Sequence, residues 1–173
     1  MKRFSYLSAL LVLGGVLVGC SDTSTMPSSN SSATFTAALR TSNEVPAVTG
    51  SEADGSGTAT VTFNLSRDSA GNIMSATMDA TVSATGFPAG TVLTASHIHT
   101  GAAGTNGGIF VNLGLNDGEG NLATGSGSFT KRGITVPLDQ ANSILANPAG
   151  FYLNIHTATN AAGVARGQLT RAQ

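Results

Sequence analysis

Gly57-Thr58-Ala59-Thr60-Val61-Thr62-Phe63-Asn64-Leu65 decides the fold class. Ala59, Val61, Phe63 and Leu65 fall on one face of an extended chain, and Thr58, Thr60, Thr62 and Asn64 on the other. This period of two, carried by β-branched and aromatic residues, predicts a half-buried strand. Residues 73–84 repeat it, with Met74, Ala76, Met78, Ala80 and Val82 opposed to Ser75, Thr77, Asp79, Thr81 and Ser83. Arg67-Asp68-Ser69-Ala70-Gly71-Asn72 between them is turn-forming, so the two runs predict a hairpin. Further strands are expected at residues 34–40, 92–99, 108–113, 122–130, 151–156 and 163–169. Strands at this density, separated by Gly-rich turns, predict an all-β antiparallel sandwich or barrel. Residues 137–145 are the exception: a proline start, Leu138, Ala141 and Leu145 at helical spacing, and a stop before Asn147-Pro148 predict one short helix.

The N-terminus reads as an address. Met1-Lys2-Arg3 is basic, residues 7–18 are mostly apolar, and Gly19-Cys20 closes the run. That run is shorter than the ~20 residues a spanning helix needs, so residues 1–19 are expected to be a signal peptide. Leu17-Val18-Gly19-Cys20 resembles the lipobox of bacterial lipoproteins, which implies lipidation of Cys20, the only cysteine. Two or three acyl chains anchor stably, so the membrane is one expected partner and the cell envelope the expected location, facing outside the cytoplasm. Ser21 after the cysteine implies the outer membrane if the source is Gram-negative. Residues 20–33 are expected to be the lipidated cysteine and a flexible Ser/Thr-rich tether, with a reach of roughly 20 Å. Residues 34–173 then form one domain, large enough for one core. Loss of Lys2 and Arg3 leaves six basic against nine acidic residues, a net charge of −3, which argues against a nucleic-acid partner.

All three histidines sit in strand-like runs: His97 and His99 in Ser96-His97-Ile98-His99-Thr100-Gly101, and His156 in Phe151-Tyr152-Leu153-Asn154-Ile155-His156-Thr157. Residues two apart share a strand face, so His97 and His99 point the same way, with Leu93 and Ala95 beside them and Val92 and Ile98 opposite. His156 shares its face with Tyr152 and Asn154, away from Phe151, Leu153 and Ile155. This places the histidines on the sheet surface or its rim, not deep between the sheets. If the two strands are neighbours, His97, His99 and His156 form a candidate site for Zn or Cu, with the nitrogens converging to within ~4 Å. The alternative is that the imidazoles hydrogen-bond loop backbone and order the glycine-rich turn at residues 101–108. That turn lacks the Lys-Ser/Thr ending of a P-loop, and no Gly-x-Ser-x-Gly elbow is present.

The order of several motifs carries a family resemblance. Asn43-Glu44-Val45-Pro46, His97-Ile98-His99, Asn106-Gly107-Gly108, Tyr152-Leu153-Asn154-Ile155-His156-Thr157 and Arg166-Gly167-Gln168-Leu169 resemble a CHRD domain, the module first recognised in chordin and common in bacterial exported proteins. The resemblance spans residues 34–170. It implies an immunoglobulin-like β-sandwich, used as a tethered or repeated extracellular module with no established catalysis. Glu44 and Arg166, each in a matched segment, form a candidate bidentate ion pair between the first and last strands, with a structural role.

The function expected from these features is a lipid-anchored cell-envelope binding module, its partner an extracytoplasmic protein or ligand, with a three-histidine metal site. No complete catalytic motif is present, so no catalytic residue is assigned. The alternative is a copper-dependent redox enzyme: a His-x-His strand with a distant third histidine is similar to the copper half of copper/zinc superoxide dismutases. A fourth copper-ligating histidine, a zinc subsite and a disulfide are all missing from the sequence.

Overall fold

The structure, a computed structural model, describes residues 29–173. The signal peptide, Cys20 and the start of the tether lie outside the described residues. The remainder of the tether does not stay loose: Ser29–Arg40 is one strand, β1, paired along its whole length with β2 (Ser56–Arg67). Residues 29–33 therefore belong to the sheet. β2 turns into β3 (Ile73–Thr85) as the alternation predicts. The Asp68 carboxylate closes the turn by accepting from the backbone N–H groups of Ala70 and Asn72 at 2.9 and 2.8 Å.

Next come β4 (Thr91–Thr100), β5 (Ile109–Asn112), β6 (Asn121–Leu122), β7 (Gly127–Thr135), α1 (Leu138–Ala146), β8 (Phe151–Thr157), β9 (Ala165–Gln168) and β10 (Thr170–Arg171). All pairings are antiparallel, and the strand order is β5-β4-β8-β9-β1-β2-β3-β7, with β10 added to β1 and β6 to β4. The fold is all-β with one short helix, as expected. Its two layers are arms of one curled sheet, joined at a narrow seam where β1 meets β9 only through Arg40 and Arg166.

The arms close on a shared core. Phe35 and Phe63 meet edge to face, with ring centroids 5.9 Å apart, beside Val61, Met78, Ile98, Leu153 and Ile155. Burying each such side chain contributes roughly 1.5–3 kcal/mol, which is why the alternating runs read so cleanly.

Three details depart from the sequence pattern. The expected strand over residues 122–130 splits into β6 and β7. Gly125 makes the break: its φ is +79°, and a Cβ there would meet the Phe87 carbonyl oxygen. In α1, Ala141 and Ile144 are buried while Leu138 is 40% exposed, so the apolar stripe is rotated from the one expected. Most consequential is β4. Leu93 pairs with Thr157 but Ala95 pairs with His156, a bulge that moves Leu93 to the core side with Ile98 and leaves His97 and His99 on the opposite face. The expectation that the histidines share a face with Leu93 fails because the extra residue at the bulge inverts the alternation between Leu93 and Ala95.

Candidate metal centre

On the face of β4, β8 and β9 away from the core, register sets the neighbours. His97 lies opposite Asn154, His99 opposite Tyr152, and Ala95 opposite His156; Asn154 and Tyr152 in turn face Arg166 and Gln168 of β9. The face is not open. The chain after β1, the glycine-rich turn and residues 158–163 fold over it, so every residue of β8 is buried. His97, His99 and His156 are 9, 7 and 6% exposed, which corrects the expectation of a surface or rim site. A pocket of about 490 Å³ leads in between these loops, with His99, Tyr152 and Glu44 among its walls.

The imidazoles are packed together. Ring centroids are 4.8 Å apart for His97 and His156, 5.5 Å for His97 and His99, and 5.9 Å for His99 and His156. One nitrogen from each lies within 4.8 Å of the others, and the shortest gap, His97 Nδ1 to His156 Nε2, is 3.0 Å. The widest gap exceeds the ~4 Å that ligands at ~2.1 Å from one ion span.

Tautomers follow from the remaining contacts. His99 Nδ1 donates to the Gly107 carbonyl at 3.1 Å, and His156 Nδ1 donates to the Ala161 carbonyl at 3.0 Å. A neutral ring that donates from Nδ1 presents a lone pair at Nε2. In His99 that atom is buried and has no partner. Protonation is disfavoured throughout. Burial, reinforced by the other two histidines, holds His97 down at about 4. Burial also lowers His99 and His156, against the opposing effect of their carbonyl bonds.

Around the cluster, Tyr152 stacks on His99 with centroids 5.1 Å apart and planes 6° from parallel, and its hydroxyl accepts from Gly107 N–H at 3.3 Å. Arg166 lies over the same tyrosine ring at 4.6 Å. Its guanidinium ties two loops to β9: Nε donates to the Asn43 carbonyl at 2.6 Å, and Nη1 to the Thr105 carbonyl and Asn106 Oδ1 at 3.1 and 2.8 Å. Glu44 is close, but the bidentate bridge does not form. Oε2 is 3.8 Å from Arg166 Nε, while Oε1 accepts from Asn154 Nδ2 at 3.1 Å. Burial pushes the Glu44 carboxyl up to about 7, more than Arg166 pulls it down. Burial thus biases this loop-anchoring carboxyl toward its neutral form.

Two participants carried no signal as site residues. Asn154 sat inside a motif, yet its role as the link between Glu44 and the His97 position depends on cross-strand register, which one strand's sequence does not contain. Glu52 lies in a Gly/Ser-rich loop with no motif at all. It is 6% exposed and accepts from Thr157 Oγ1 at 2.8 Å and Asn160 Nδ2 at 2.6 Å, fixing the turn that presents the Ala161 carbonyl to His156.

This geometry uses the segments that carried the family resemblance, and comparison with protein families agrees: the CHRD domain model matches residues 35–169. The chain belongs to the CHRD domain family. Comparison with curated proteins and with solved structures finds no match. Within the CHRD domain, then, the histidine cluster lies at the junction of β4 and β8, beneath loops held by Glu44, Glu52 and Arg166.

Proposed function

We propose that this CHRD domain is an envelope-tethered binding module that holds one transition-metal ion, Cu or Zn, through His97, His99 and His156. The observation that carries this is the buried, partnerless Nε2 of His99, in a ring whose Nδ1 is already committed to Gly107. A buried acceptor without a donor costs roughly 1–3 kcal/mol. A metal ion between the rings would supply the missing partner, and a carbonyl bond at the far nitrogen is the usual outer contact of a ligating histidine. His156 makes the same outer contact through Ala161, while its Nε2 meets His97 Nδ1 at 3.0 Å.

Ordering of the glycine-rich turn, the alternative role for the histidines, is compatible with this one, because the Gly107 bond uses only Nδ1. Tethering rests on the sequence: the basic start, the short apolar run and Cys20 in its lipobox support a lipid anchor in the cell envelope. Copper redox turnover has one observation in its favour, the pocket that reaches His99. An extracytoplasmic protein or small ligand entering that pocket is the partner this reading implies.

The test is metal analysis of the chain purified without a polyhistidine tag after incubation with Cu or Zn and desalting. About one ion per chain is expected, with loss in His99→Ala; a metal-free wild type refutes the site.

A further inference from the structure

The three donors are neutral, and among the described residues no carboxylate or thiolate joins their cluster. Glu44, the acid in the adjoining pocket, is turned toward Asn154 Nδ2 at 3.1 Å. The permanent charge nearby is positive, opposed by a Glu44 carboxyl that burial biases toward its neutral form. Arg166 is 2% exposed and packs on one tyrosine ring, Tyr152, that also stacks on His99. Its nearest carboxylate oxygen is 3.8 Å away, too far for a hydrogen bond.

An ion entering this cluster therefore exchanges water for uncharged nitrogens beside a buried cation. The desolvation cost of an ion grows with the square of its charge, and repulsion from Arg166 grows in proportion to it. Both effects penalise a dication more than a monocation. Coordination number allows a three-coordinate ion, whose shell three imidazoles complete, whereas Zn(II) would draw its fourth ligand from water.

We propose that the His97, His99 and His156 site selects copper in the cuprous state over divalent ions. The proposal rests on the metal-binding function given above and adds the charge and oxidation state of the ligand. It makes the domain a holder of Cu(I) outside the cytoplasm, with the pocket beside His99 as the route by which copper enters and leaves.

The experiment is a set of competition titrations on the full chain without a polyhistidine tag. Cu(I) is supplied anaerobically from a cuprous chelator, and Zn(II) and Cu(II) are supplied from their own chelators. One Cu(I) per chain is expected, bound at least about tenfold tighter than either divalent ion. Divalent binding as tight or tighter overturns the selectivity and leaves the metal site standing. No binding of any of the three ions overturns both. A second measurement isolates the electrostatic cause. Ala95 is half-buried directly opposite His156, so Ala95→Asp places a carboxylate beside the site. In folded Ala95→Asp the preference is expected to move toward Zn(II) by about tenfold or more; an unchanged ratio overturns the charge argument.

Discussion

His97 Nδ1 and His156 Nε2 approach to 3.0 Å across two neighbouring strands, although 58 residues separate them along the chain. The β4–β8 register creates this contact, and the bulge at Leu93 and Ala95 sets which faces meet.

The depressed histidine values give metal binding an unusual pH profile. Protons and metal compete for the same lone pairs, and an ordinary histidine near 6.5 would begin to lose that competition just below neutrality. Here His97 stays neutral until about 4. His99 and His156 are lowered too, so apparent affinity, measured by chelator competition corrected for chelator protonation, is expected to hold to lower pH than at a site of ordinary histidines.

The same shifts act on the apo protein. Between about 4 and 6.5 the unfolded chain binds protons at His97 that the folded chain does not, so the contribution is present above pH 6.5 and is lost as pH falls toward 4. Denaturant unfolding should show a decline of order 1–3 kcal/mol across that window, reduced in His97→Gln.

Glu44 has the opposite sign. Its folded value is raised to about 7, so its contribution is full at acidic pH and is lost as pH rises through 7 and the buried carboxyl ionises. Glu44→Gln keeps an acceptor for Asn154 and removes the charge. It should be close to neutral at pH 5 and stabilising by about 1–2 kcal/mol at pH 8, by denaturant midpoints.

Gly163 tests how tightly the loop over the site is packed. A Cβ there would stand 2.3 Å from Asn154 Nδ2 and 2.9 Å from both Glu44 oxygens, on a backbone with φ of +143°. Gly163→Ala is expected to cost about 1–3 kcal/mol. Its expected signature is a weakened metal site in protein that still folds.

Much of the fold was legible because the β2–β3 hairpin writes its burial directly into alternating residues. What was not legible has physical causes. The bulge in β4 leaves no mark, since Val92-Leu93-Thr94-Ala95 alternates acceptably in either phase. The β6–β7 break depends on Gly125 approaching Phe87, a contact between distant loops. At the site, the histidines announced themselves by scarcity and spacing, but their burial under loops, the Gly107 and Ala161 carbonyls and the Asn154–Glu44 link arise only from tertiary packing. The Glu44–Arg166 pairing was half visible: both residues sat in matched segments, yet burial raised the acid and turned it to Asn154 instead.

The most direct test of the central claim is X-ray absorption at the metal edge of the copper- or zinc-loaded chain. A first shell of three imidazole nitrogens at ~2.0–2.1 Å, lost in His97→Ala and in His156→Ala, is the predicted result. A shell of oxygen donors, or one that survives removal of both histidines, would contradict it.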